Sequence, residues 1–262
     1  MQLNQTLYQK FKEVIPAFSG IFILIIVWQL LSLRSNTTLP SPITVITETW
    51  DLIKDPFFNR GGNNKGFFWL ILASLKRILM GYSLAVILGI LVGLIISLNS
   101  FLQKGFDPIM QLLRPVAPLA WLPLAQAIFL KPNPSAVFVI FITAIWPIII
   151  NTNLGLRLIP KDYINVSKII GLSPWEHFMK IILPASLPYI LTGLRVGLGL
   201  SWLAVVAAEM LLSDDGIGFF IINAYNDANI SEIIIAIVYL GMVGLIMDKM
   251  MIFISTKIAP QE

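Results

Sequence analysis

Cysteine is absent from the 262 residues, and histidine occurs once, as His177. Disulfide frameworks, thiol nucleophiles and Cys- or His-rich metal centres are thereby excluded. Charge is scarce as well. Asp, Glu, Lys and Arg make up 12% of the chain, half of the roughly 25% usual in soluble domains. Catalytic signatures are missing too: no GxxxxGK[ST] phosphate loop, GxSxG elbow or HExxH pair occurs, so the chain carries no nucleotide site of the phosphate-loop type. No internal repeat is visible, which leaves an inverted-repeat carrier without support.

What is abundant is apolar. Hydrophobic residues form 57% of the chain, with a mean hydropathy of +0.83, and they are gathered into runs of about 20, the length that crosses a bilayer as a helix. The expected architecture is an all-α polytopic membrane protein of about six spans. The net charge of +4 fits basic cytoplasmic loops rather than nucleic-acid binding. A polar tail covers residues 1–16, with Lys10, Lys12 and Glu13, and a first span covers 17–33. It lacks a cleavage site and is long for a signal peptide. Residues 34–70 read as an external loop and 71–262 as the core domain. Within that core the spans run over about Ile71–Leu98, Asp107–Leu130, Ser135–Leu156, Ser186–Leu212 and Glu232–Ser255.

Local signals refine this outline. Ser41-Pro42 reads as an N-cap with proline in the first turn, and Ile43, Ile46, Trp50, Ile53 and Phe57 follow at helical spacing, as in an amphipathic helix lying at the interface. Gly61-Gly62-Asn63-Asn64 ends it as a flexible loop. Gly89 and Gly93 form a GxxxG pair, which reflects either close helix approach or chance spacing. Pro108, Pro115, Pro118 and Pro123 fall in the third span and Pro147 in the fourth; broken backbone at membrane depth is tolerated when buried in protein or lining a cavity. Segment 157–185 holds Arg157, Lys161, Lys168 and Lys180, so the N-terminus, this segment and the C-terminus are expected on the cytoplasmic side. Lys54, Arg60, Lys65, Lys76 and Arg77 then fall outside, against the trend.

The segment 157–185 carries the most information. Gly171 can end a short helix by adopting positive φ, Ser173-Pro174 can cap a second, and Pro184 marks entry into the fifth span. Two short helices along the membrane surface would make a knob that docks in a partner's cleft. The spacing G-x9-I-x-L-P, set by Gly171, Ile181, Leu183 and Pro184, resembles the EAA loop in permease subunits of bacterial ABC importers. Asn165, Val166 and Ser167 replace the motif's opening Glu-Ala-Ala, removing a glutamate that could bridge to the ATPase but not the docking itself.

The resemblance runs from Leu39-Pro40-Ser41-Pro42 to the last span. It includes Leu183-Pro184-Ala185-Ser186-Leu187-Pro188, Leu191-Thr192-Gly193-Leu194-Arg195, Ala207-Ala208-Glu209-Met210 and Gly216-Ile217-Gly218. These residues look most like the branch importing nitrate, sulfonate, taurine and bicarbonate. The stretches Arg114 to Pro123 and Ile145 to Thr152 are similar to nitrate, bicarbonate and cyanate permeases. The resemblance implies a type I ABC importer permease in a bacterial inner membrane. Two copies would form the pathway, two ATPase subunits would dock on the EAA-like loops, and an external binding protein would deliver substrate. ATP and Mg would be bound by the ATPases, with no cofactor or metal on this chain. Nitrate or nitrite is the expected cargo, with bicarbonate or cyanate as the alternative. A self-sufficient anion channel, an ion-coupled carrier or a membrane enzyme are readings of other classes, and they leave the EAA-like loop without a use.

Charged groups inside spans are functional candidates. Arg195 and Glu209 share one face of the fifth span, about 21 Å apart along its axis. Arg195 either attracts an anion or snorkels to a structural partner; Glu209 either latches a gate and neighbouring helix ends or hydrogen-bonds a nearby loop. Trp121, Asn151, Thr152, Ser201 and Trp202 are the neutral candidates for lining the pathway, since a small anion that must also leave suits a few donors better than a strong fixed charge. His177 reads as a surface residue.

Overall fold

The computed structural model describes residues 2–34, 38–61 and 64–259, with side chains from Pro16 onward apart from Ala17, Lys161 and Lys168. Among the described residues there is no strand, only an isolated antiparallel bridge between Asn59 and Lys65. The helices are α1 (Gln2–Ser32), α2 (Pro42–Glu48), α3 (Trp50–Lys54), α4 (Phe67–Leu98), α5 (Ser100–Leu113), α6 (Leu122–Phe129), α7 (Pro132–Arg157), α8 (Lys161–Ile170), α9 (Pro174–His177), α10 (Leu183–Leu212), α11 (Ile217–Asn226) and α12 (Ile230–Ile258).

Helix α7 is the centre of the bundle. It is sandwiched between α4 and α10, and 56% of its most apolar stretch is buried inside the chain, against 11% for α12. Glycine spacing makes the sandwich possible. A Cβ on Gly89 would lie 2.8 Å from the Ile148 side chain, and one on Gly93 would lie 2.7 Å from that of Thr152. From the other side, a Cβ on Gly193 would meet Asn151 at 2.8 Å. The GxxxG pair therefore marks close helix approach, the way membrane helices gain packing when burial from water cannot drive it. Ala85, Ile96, Met110, Ala144, Ile145, Ile148 and Ile149 fill this part of the core.

Several expectations change. The third span is not one straight helix: Ser100–Leu113 and Pro118–Phe129 meet at 100°. Pro115 and Pro118 deny amide donors to the turn between them, and a single 3-10 turn over Pro118–Trp121 starts the second arm. Among the described residues, four helices are long and apolar enough to cross a membrane, five if the bent pair counts as one span. The first apolar run, Phe18–Ser32, is a shorter apolar stretch on a helix whose backbone already starts at Gln2, in the segment read as a tail. The amphipathic helix after Ser41 is two short helices, α2 and α3, broken at Thr49. Ile43, Ile46, Trp50 and Phe57 remain exposed. Gly62 and Asn63 of the loop that follows lie outside the described residues.

Candidate translocation pathway and coupling loop

The EAA-like loop is built by local chemistry. Helix α8 ends at Gly171, whose φ of +74° suits a residue without Cβ. The Leu172 amide then donates to the Ser167 carbonyl at 3.1 Å, the closing bond of a Schellman-type end. Ser173 caps the next turn: its hydroxyl accepts from the Glu176 amide, and the Glu176 carboxylate accepts from the Ser173 amide. Lys180 adds an ion pair to Glu176 at 2.8 Å.

Contrary to the expectation of two separate short helices, α9 runs into α10 through a π-turn over Phe178–Ile182. The turn answers a sequence problem. Pro184 has no amide to give to the carbonyl four residues back, and the wider i to i+5 pattern, with Leu183 donating to Phe178, absorbs the defect. Pro174–Leu212 is thus one 39-residue apolar helical unit. It rises about 58 Å, beyond the roughly 45 Å of a bilayer with its headgroups, so its first turns project from the membrane. There Lys180 and the Ser173 cap hold the Glu176 carboxyl down to about 2.

Around Gly171 the apolar side chains face outward. Val166, Ile169, Ile170 and Trp175 are exposed, Ile169 by 85%. Asn165 and Gly171 are exposed, Ser167 is buried, and Ile181 and Leu183 are half-buried at the start of the long helix. The single histidine, His177, is half-buried, and its Nδ1 has no partner.

At the other end of α10, Glu209 is fully buried. Its carboxylate accepts from Arg77 Nη1 at 2.6 Å, Ser74 Oγ at 2.8 Å and the Gly218 amide at 3.0 Å. Arg77 also donates to the Asn133 side chain and to the Asp215 carbonyl. Gly216, at φ +108°, passes so close that a Cβ there would meet the carboxylate at 2.4 Å. The Arg77–Glu209 pair thereby ties together α4, α10, the first turn of α7 and the entry into α11. Both partners are satisfied, which a buried charge requires. Helix α11, in the stretch between the expected fifth and last spans, packs beneath this knot: Phe67 stacks on Tyr239 at 4.3 Å and meets Phe220 edge-on at 5.0 Å.

Arg195 does have a partner inside the bundle. Its guanidinium makes a two-pronged bond to Asp248 of α12, at 2.6 and 2.9 Å, and both side chains are half exposed. Arg195 and Trp202 border a narrow cavity of about 50 Å3 between α10 and α12. The neutral candidates lie within the bundle. Asn151 donates to the Pro147 carbonyl and Ser201 to that of Gly197; Trp202 donates to the Leu240 carbonyl. Thr152 is fully buried with its hydroxyl unpartnered, and Trp121 packs among Leu122, Ala136 and Ala204. A wider cavity, of about 650 Å3, lies elsewhere, between α5 and the end of α7.

Sequence reading missed Arg77 and Asp248 as partners. Arg77 reads in the sequence only as one of the outward basic residues, and Asp248 falls in the last span without a role. A search for opposite charges on neighbouring spans would have found both.

The model of the binding-protein-dependent transport system inner membrane components matches residues 85–259. The chain belongs to this family. It is 50% identical over 250 residues to the nitrate import permease protein NrtB of Synechocystis sp., covering 95% of this chain and 91% of the relative. It is 48% identical over 244 residues to the bicarbonate transport system permease protein CmpB of Synechococcus elongatus, covering 92% and 88%. Among solved structures, an inward-facing MetNI methionine ABC transporter aligns at a TM-score of 0.62 and 18% identity, over 71% of this chain and 92% of that one. An amino acid ABC transporter aligns at 0.61 and 12%, over 82% and 97%. The permease therefore has the type I importer fold, and its role is transport rather than enzymatic turnover.

Proposed function

We propose that this permease is the membrane subunit of an ATP-driven importer for a small inorganic anion, nitrate or nitrite first. The observation that carries the substrate is the 50% identity to a nitrate import permease across nearly the whole chain. The similarity to a bicarbonate permease supports a second reading with that cargo, or with cyanate. Two permease copies would enclose the pathway. Two ATPase subunits, holding ATP and Mg, would dock on the exposed apolar residues around Gly171, and an external binding protein would supply the anion. Closure of the ATPases on nucleotide would turn the pathway from inward- to outward-facing. A self-sufficient channel or carrier would leave that exposed apolar surface in water.

In this reading the permease sits in a bacterial inner membrane with both termini and segment 157–185 in the cytoplasm, residues 34–70 outside and 71–262 as the core. The outward basic residues that run against this orientation are partly neutralised. Lys65 pairs with Asp215 at 3.1 Å and Arg77 with Glu209, so neither is a free loop charge.

The test is to co-express the permease with the ATPase subunits encoded beside it and purify through a tag on the permease. Stimulation of ATP hydrolysis by the cognate binding protein is then measured with nitrate, nitrite, bicarbonate or cyanate. Nitrate- or nitrite-selective stimulation is the expected result; selectivity for bicarbonate would establish the second reading. Anion flux from the permease alone, with no ATPase retained, would overturn both.

A further inference from the structure

The 650 Å3 cavity is lined by Asp107, Met110, Gln111 and Arg114 with Pro115 from the α5 side, and by Ile150, Asn153, Leu154 and Arg157 from the last turns of α7. Three of its features have no use in holding the fold. Arg114 and Arg157 form no salt bridge among the described residues. Asn153 is 5% exposed, and its side-chain amide makes no hydrogen bond among the described residues. Its Nδ2 is the half that an oxyanion can complete, since the amide oxygen, itself an acceptor, needs a donor such as water. The ionisable groups facing the cavity are two arginines and one aspartate, so its net charge is +1 (2 − 1). A guanidinium offers paired donors that match the edge of an oxyanion.

We propose that this cavity binds a small oxyanion, with Arg114 and Arg157 supplying the charge, Asn153 a fixed amide donor and Asp107 opposing them enough to keep binding weak. The site is distinct from the Arg195–Asp248 pair, since its residues come from α5 and α7 rather than α10 and α12. It stands on these side chains and not on the direction of transport; only its opening toward the cytoplasm rests on the orientation proposed above. Arg157 ends α7, with three residues between it and the start of α8. An anion held there lies at the root of the coupling loop, where cytoplasmic anion can bias ATPase engagement.

The chain's lack of cysteine makes the test direct. Gln111 is exposed and lines the cavity, so Gln111→Cys places one thiol at its edge while leaving the three ligands intact. The full permease in phosphatidylcholine vesicles is labelled from each side with an anionic sulfonatoethyl and a cationic trimethylammonioethyl methanethiosulfonate. The anionic reagent is expected to react at least about tenfold faster than the cationic one from the cytoplasmic side, a preference of the size local fields produce. Nitrate at constant ionic strength, set with gluconate, slows it. In the Arg114→Gln, Arg157→Gln background both the preference and the protection disappear. With Asn153→Leu the preference stays and the nitrate protection weakens.

The same measurement in vesicles containing phosphatidylglycerol separates two sources of the oxyanion. Protection by that lipid with no effect of nitrate would assign the site to a lipid headgroup phosphate. Protection by nitrate in both membranes assigns it to the free anion. An anionic preference unchanged by losing both arginines, or no protection by either nitrate or phosphatidylglycerol, would overturn the proposal. Labelling and protection seen only from the outer side would keep the site and reverse the orientation.

Discussion

At the scale of single residues, the two charges singled out on α10 are both accounted for by partners on other helices, and the partners differ in kind. Glu209 is sealed from solvent with Arg77 at 10% side-chain exposure, so removing one member leaves the other charged and buried. Glu209→Ala or Arg77→Ala is expected to cost about 3–5 kcal/mol each. The double variant should cost clearly less than their sum, because it removes the orphaned charge. Thermal unfolding of the purified permease in detergent checks both. Arg195 and Asp248, at 48% exposure each, form a weaker link whose meaning is geometric. Arg195→Asp alone is expected to abolish substrate-stimulated ATP hydrolysis in the complex. Adding Asp248→Arg should restore it, because a structural pair tolerates exchange, whereas an anion-attracting arginine would not be replaced by a carboxylate at its position. Arg195 was legible in the sequence as an intramembrane charge, yet its role was not. Its partner lies 53 residues away, and periodicity along one helix carries nothing about the neighbour it will face.

At the scale of elements, what could be read from the sequence was what depends on local chemistry. Ser41-Pro42 and Ser173-Pro174 do cap helices, since the side-chain acceptor, the extended cap backbone and the proline in the first turn act within four residues. Gly171 does end α8. The 100° bend between α5 and α6 was signalled by its prolines but not its angle, because a proline removes a bond without choosing where the chain turns next. Helix α11 was missed for the opposite reason. It is only ten residues long with Asp214, Asp215 and Asp227 flanking it, too short to stand out as a span, while its apolar face acquires meaning only from Phe67 and Tyr239 on other helices. The coupling segment allows a prediction at this scale. Proline cannot adopt the +74° of Gly171, its φ being fixed near −65°. Gly171→Pro is therefore expected to abolish transport and anion-stimulated ATP hydrolysis, while the permease remains inserted and the complex still co-purifies through its tag. Unchanged transport in this variant would mean that the loop does not carry the coupling.

At the scale of the whole molecule, the bundle joins two kinds of construction. Around α7 it is held by glycine-bedded contacts, which resist being pulled apart but have little to lock a sliding motion. At one end it is held by the Glu209 knot, where charge-assisted bonds fix four segments at one point. The π-turn at Phe178–Ile182 now has a mechanical consequence. Because it carries the helix past Pro184 instead of ending it, the exposed Trp175 and the knot at Glu209 belong to one rod. A tilt imposed at the rod's projecting end cannot dissipate in a flexible joint. With the knot anchoring one tip, the rod's free swing is greatest at the other, so a partner gripping Trp175 holds the long end of a lever.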